Sequence, residues 1–476
     1  MLSVRQRLHA PHEGGCSDAH FLKPSIDAKD LMIKKTHLTL WAACAAALTC
    51  ASAHAATLRW ASASDIPSWD VHSQNNALGN GVHAAVYESL FYYNGKFELE
   101  PQLATGYKQL NPSQVRISLR KGVKFHDGAA FDADDVVFSL NRAMDKASNY
   151  GVYTQGIDKV VKVDEFTVDI LTKGPNPVLI RQLTELRMLD KDWAEKNRSV
   201  TPKDAKSKEE NYAHRHANGT GPFVLKSWDP DVKMVLSRAP NWWGKMSGNV
   251  TEIVYTPIKS DSTRVAALLS GEVDMEGTLI APQVNGWTSK LDARYPFNQD
   301  DARKLLADAG YPNGFEVDFA CPNNRYINDE EICQAVTAMW ARIGVKAKLR
   351  TLPLVTYFPM IQRYEASIYM LGWGVPTFDA LYSLQSLVRS VGAQGDGNYN
   401  VGRYSNPQMD ALIERIKKEV DQKARNDLIE KALMLSHEEV SHIPLHNQVI
   451  PWAMKRNVSM SHRADNRIDM RTVTVN

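Results

Sequence analysis

The sequence predicts a mixed fold, α/β or α+β, and three observations carry that reading. Stretches that alternate apolar and polar residues with period two interleave with stretches of helical period along the chain. The 476 residues are 43% hydrophobic, enough for at least one sizeable core and two or three domains. No repeat of about 20–50 residues appears, which sets solenoids and propellers aside.

The elements follow in order. Val115 to Leu119 alternates and reads as a strand, Lys121-Gly122 turns it, and Val123 to Phe125 continues extended into the His126-Asp-Gly128 turn. Asp132 stands at an N-cap with Asp135 three residues on, and the helix behind them should bury Val136, Val137, Leu140 and Met144. Lys203 to Glu210 is a charged stretch, read as a solvated loop or exposed helix. Asp300 to Ala309 is an amphipathic helix stopped by Gly310, with Pro312 just beyond. Glu330 to Ile343 repeats that pattern up to Gly344, and Val345 to Leu349 alternates as a strand. Pro407 to Val440 reads as two helices rich in i,i+4 charge pairs.

Fifty-six basic residues against 54 acidic ones exclude a polybasic nucleic-acid binder and an acidic disordered chain. Met32-Ile-Lys-Lys35, the apolar run Leu38 to Leu48 and the small-residue site Ala53-His-Ala55 form a secretory signal peptide over 32–55. Residues 1–31 read as an over-called start or a dispensable extension. Cys44 and Cys50 lack the Leu-small-small approach of a lipoprotein signal, so a released periplasmic protein is expected. Cleavage after Ala55 leaves 421 residues with 50 basic and 50 acidic side chains, and only Cys321 and Cys333 remain. In an oxidising compartment this pair reads as a disulfide, with two buried thiols as the alternative.

Catalytic signatures are lacking. His437 and His442 stand five apart and do not share a helix face as a zinc site requires. His214 and His216 sit in a polar loop, and His126-Asp127 reads as a capped turn rather than a base and its orienter. No Gly-x-Ser-x-Gly elbow or phosphate-binding loop occurs, so no metal and no cofactor is expected.

The stretch Leu119 to Arg142 closely resembles the signature of family 5 solute-binding proteins, the extracytoplasmic receptors of peptide and nickel ABC importers. Gly219-Thr-Gly-Pro-Phe223, Asn241-Trp-Trp-Gly244, Leu269-Ser-Gly-Glu-Val-Asp274, Ala307-Asp-Ala-Gly-Tyr-Pro312 and Tyr404-Ser-Asn-Pro407 with Asp410 continue the pattern in order. The resemblance runs from Leu58 to Ile450. It implies an α/β periplasmic-binding-protein fold of the large peptide-binding class, in which two lobes close on a ligand like a flytrap. Residues 56–276 plus 445–476 would form lobe I, and 277–444 lobe II.

It also implies a monomeric receptor without catalysis, which feeds a short peptide to the membrane subunits of an ABC permease. Arg325 loosely resembles the arginine that takes the peptide carboxylate, and the Cys321–Cys333 pair would brace its loop. Gly372 to Asp379 resembles the segment that supplies the amino-binding Asp, but Pro376 stands at its usual place. Either Asp379 substitutes, or the ligand lacks a free α-amino group there. Trp373 would stack over the ligand, with Tyr382 and Trp287 as further aromatic candidates. Glutathione, haem and a nickel chelate are the alternative ligands, and an exported peptide hydrolase or chaperone is the alternative function. After Asp274 the family pattern breaks: Thr278 to Trp287 resembles a much later region, so about eighty residues are missing and lobe II is expected to be under-packed.

Overall fold

Local signals place the elements of the N-terminal part. The computed structural model describes residues 56–476 apart from 63, 258–278, 294, 393–394, 449–453, 462 and 464. The signal segment and the Leu269–Asp274 element, including the break at Asp274 to Thr278, lie outside the described residues. The chain runs through β1 (Ala56–Ser62), α1 (Ala77–Val86), β2 (Phe91–Tyr93), β3 (Leu99–Pro101), β4 (Ala104–Asn111), β5 (Gln114–Leu119) and α2 (Ala133–Ala143). It continues through β6 (Ile157–Asp164), β7 (Thr167–Thr172), β8 (Phe223–Asp229), β9 (Lys233–Arg238) and β10 (Val250–Pro257). At the start of α2 the Asp132 carboxylate accepts from the Asp134 amide at 2.7 Å, and Asp135 accepts from the Asp132 amide at 3.0 Å. These bonds satisfy N–H groups that the first turn leaves without partners. Val136 and Leu140 are buried as their spacing predicts, while Val137 and Met144 are only partly covered.

Two four-stranded sheets organise this part. One has the order β1-β10-β9-β8, with β1 parallel to β10 and the other pairs antiparallel. The other is antiparallel throughout, in the order β4-β5-β7-β6. The two apolar clusters are separate: one centres on Leu103, Ile117, Phe131 and Leu140, the other on Trp69, Tyr87, Phe223 and Val473. The Gly219-Thr-Gly221 motif lies against the end of α1, where a Cβ on Gly219 would stand 2.0 Å from the Val86 carbonyl oxygen. The Gly221 amide donates to that same oxygen at 2.9 Å. Only glycine tolerates this backbone approach.

Residues 279–448 hold α3 (Gln299–Asp308), β11 (Glu316–Pro322), α4 (Asp329–Ala341), β12 (Lys346–Leu352), α5 (Leu354–Gln362), β13 (Ile368–Tyr369), α6 (Pro407–Lys418) and α7 (Gln422–Glu438). Their sheet has three parallel strands in the order β12-β11-β13. Gly310 and Gly344 take positive φ after α3 and α4, as their stop signals predict. Cys321 on β11 and Cys333 on α4 form the disulfide, with Cα atoms 6.4 Å apart. The core here is built by α5, α6, α7 and the 380–401 segment. Helix α3 buries none of its residues.

The tail returns to the N-terminal part. Short strands β14 (Val458–Ser459) and β15 (Thr474–Val475) pair with each other, and Asn249 exchanges two hydrogen bonds with Val475. Arg467 also grips the buried Glu185 with two bonds of 2.8 and 2.9 Å. The Lys203–Glu210 stretch is a loop, and its Lys203 amide donates to buried Asp70 at 2.9 Å. Asp70 is also held by Arg142 through two bonds of 2.7 Å, so this polar stretch helps close a buried ion pair.

Candidate ligand-binding cleft

The two parts meet along an aromatic seam. Tyr153, ahead of β6, stacks on Tyr382 with ring centroids 5.3 Å apart, and Tyr382 stacks on Trp373 at 5.0 Å. Tyr399 packs edge-on against Trp373 at 5.2 Å. One asparagine from the N-terminal part ties the hydroxyls together: Asn75 Nδ2 donates to Tyr382 Oη at 3.0 Å and to Tyr153 Oη at 3.3 Å. The Asn75 carbonyl accepts from Tyr399 Oη at 2.5 Å. Burial pushes the Tyr382 hydroxyl up to about 12, so it stays protonated and can donate.

Beside the seam lies a cleft of about 830 Å³, in the size range of a small-ligand site. Tyr93, Lys96, Phe97 and Arg181 form its N-terminal wall. Trp287, Phe378, Asp427 and Glu430 also line it, and Phe378 packs on Tyr93 and Phe97 with ring centroids 5.0 Å apart. Arg181 Nη1 donates to the Phe378 carbonyl at 3.3 Å, which joins the walls at one edge. A tighter hollow of about 10 Å³, room for one water, lies between Tyr153, Thr377, Asp379 and Tyr382.

The residues singled out from sequence fall into three groups. Trp287 lines the larger cleft, and its indole N–H is buried with no hydrogen-bond partner. Trp373 and Tyr382 belong to the seam: Tyr382 is engaged by two rings, and Trp373 Nε1 donates to Ser383 Oγ at 3.0 Å. Arg325 lies over the Tyr326 ring at 4.8 Å, and Tyr326 reaches the Gly372 carbonyl beside Trp373. A Cβ at Gly372 would stand 2.5 Å from the Tyr326 ring, so glycine there lets this contact form. Arg325 Nε is buried without a hydrogen-bond partner, and the guanidinium makes no ion pair among the described residues. The Asp329 carboxylate accepts from the Arg325, Tyr326 and Glu330 amides.

Asp379, the candidate for an amine-binding acid, is buried and bound by Arg425 through two bonds of 2.7 Å. Arg425 lies 46 positions away on α7, and no spacing rule links the two. Sequence reasoning also missed Asn75, Tyr153, Lys96 and Arg181, which carry no motif of their own. His126 is bonded to the Gly221 carbonyl and Asp127 to the Ala129 amide, which is the turn-forming arrangement. Among the described residues no group of three or more His, Cys, Asp or Glu is placed to hold a metal ion. No helix among them is long and apolar enough to cross a membrane.

Two α/β parts with a cleft between them are the arrangement seen here, and comparison with known proteins places it in a family. Residues 98–279 and 275–395 match the bacterial extracellular solute-binding proteins, family 5 (middle). The chain belongs to this family. It is 23% identical to the glutathione-binding protein GsiB of Salmonella paratyphi A, over 83% of this chain and 90% of that one. It is 24% identical to heme-binding protein A of Haemophilus influenzae, over 78% and 83%. In structure it is similar to DppA from Helicobacter pylori in complex with the peptide STSA, with a TM-score of 0.71, 22% identity and coverage of 88% and 98%. AppA from Bacillus subtilis, in complex with a nonapeptide, aligns with a TM-score of 0.75 at 16% identity, covering 88% and 99%. The two-lobe fold of this class is thus the fold of this chain.

Proposed function

We propose that this protein is the periplasmic receptor of an ABC importer, binding a short peptide or peptide-like solute between its lobes and passing it to the permease. The observation that carries this reading is Arg325, a half-buried guanidinium without a carboxylate partner beside the interlobe seam. A desolvated cation left unpaired is costly, and a ligand carboxylate would relieve that cost with a bidentate geometry. Closure over the ligand would then present the permease with a liganded form it can distinguish.

The test has two arms. Native mass spectrometry of the protein isolated from a periplasmic extract should show a small acidic or peptidic adduct. Arg325→Gln should weaken binding of that adduct by about tenfold or more, the value of a charged hydrogen bond. Turnover of a peptide panel would defeat the receptor reading in favour of a hydrolase.

The shortened lobe II belongs to the same reading. The alignment to GsiB spans 472 positions but only 83% of these 476 residues, about 395, which leaves about 77 positions opposite gaps in this chain. The family match also falls into two segments that meet at residues 275–279, where the sequence pattern breaks. Both support an internal deletion, and the uncovered α3 supports its position in lobe II.

A further inference from the structure

We propose that the solute presents a carboxylate to this receptor but no free α-amino group. The inference rests on the receptor reading above and narrows its ligand class. A carboxylate has about four acceptor sites, and those of Asp379 are all used. Its Oδ1 accepts from Arg425 Nη2 at 2.7 Å and from the Leu381 amide at 3.0 Å. Its Oδ2 accepts from Arg425 Nη1 at 2.7 Å and from Asn285 Nδ2 at 3.1 Å. An ammonium group could bind only by displacing one of these donors, and the adjoining hollow of about 10 Å³ is too small for more than a water.

Two other acids near the seam among the described residues are also paired. Glu185 is taken by Arg467 through two bonds of 2.8 and 2.9 Å, and Asp396 lies 3.3 Å from Lys417 and 3.5 Å from Arg389. In the larger cleft, Asp427 is paired with Lys423 at 3.1 Å and Glu430 with Lys290 at 3.0 Å. Lys96 and Arg181 line that cleft with no carboxylate partner among the described residues, as does Arg325 beside the seam. A site whose acids are neutralised and whose cations are open selects an anion, because a ligand ammonium would be desolvated without a counter-charge. N-acylated peptides and N-acylated amino acids share this chemistry.

The experiment uses the full chain and a random tripeptide pool prepared in four forms, with the N-terminus free or acetylated and the C-terminus as acid or amide. Apparent Kd is read by equilibrium dialysis with mass-spectrometric detection. N-acetylation should lower Kd by about threefold or more, while C-amidation should raise it about tenfold or more. An unchanged or raised Kd on acetylation would overturn the inference while leaving the receptor reading intact. Indifference to C-amidation would remove Arg325's carboxylate role and, with it, the anion selectivity. Failure of all four forms to bind would bring down the peptide reading and this inference together.

Discussion

Helices α2 and α3 show how differently the two parts of the molecule cover their apolar residues. Both open with a side-chain cap: Asp132 for α2, and Asn298, which accepts from the Asp300 and Asp301 amides, for α3. Both carry an apolar stripe. In α2 that stripe is buried, with Leu140 fully enclosed among Phe125, Phe131 and Ile170. In α3 nothing is buried; Leu305 is 68% exposed, and Phe297 just before the helix is 87% exposed. The lesson is that caps and periodicity suffice to define a helix, whereas its stability comes from the surface that covers its apolar face. Helix α3 has the first and lacks the second.

The sharpest way to probe this contrast is to truncate matched leucines. Leu140→Ala should destabilise the N-terminal part by about 2–5 kcal/mol, the range for an enclosed leucine, measured as a shift in urea midpoint. Leu305→Ala, the same change on α3, should stay within about 0.5 kcal/mol, since no enclosing contacts are lost. A large loss at Leu305 would mean that its face is covered in solution, and the contrast would break.

The disulfide gives the next largest effect. Replacing Cys321 and Cys333 together by Ala should cost about 3 kcal/mol through a less restricted unfolded chain. Because both cysteines belong to the 279–448 part, the loss should appear in its unfolding alone if the two parts unfold separately. A single cooperative transition that shifts as a whole would show instead that the seam couples them and that the 279–448 part is not a weak unit.

A smaller effect isolates the N-terminal part by pH. Glu88 is fully buried, bonded to the Trp243 indole N–H at 2.7 Å and the Trp242 indole N–H at 3.3 Å, and burial raises its pKa to about 7. The folded protein therefore holds this proton between the ordinary value of 4.5 and about 7, whereas the unfolded chain releases it. The group's contribution falls as pH rises through that window, by at most about 3 kcal/mol. Glu88→Gln should remove that slope. The neutral buried histidines His72 and His83, whose pKa values burial lowers to about 3 and about 4, act in the opposite direction. They are common to both proteins and cancel in the difference. An unchanged slope in the variant would show that Glu88 is ionised throughout.

Much of the fold was legible because its signals act within a turn or two of chain. The Asp132–Asp135 capping box, the stops at Gly310 and Gly344, the strand at Val115 and the paired helices after Pro407 all stand where local chemistry puts them. The Gly219-Thr-Gly221 motif was legible as a pattern, though its cause, contact with the Val86 carbonyl, was not. The cleft was harder to read. Trp287 could be named from its neighbours, but the sequence could not show that Arg181 and Lys96 line the same cleft as Trp287.

By itself, the sequence determined the family, the mixed α/β elements, the cysteine pair and the break in the family pattern near Asp274, all features encoded over short stretches of chain. Only the tertiary structure decided which charges remain available to a ligand. Asp379 is committed to Arg425 from 46 positions away, and Asn75 joins Tyr382 across 307. Whether a charge is spent depends on the partner that packing brings within about 3 Å, and nothing local to the chain encodes that partner.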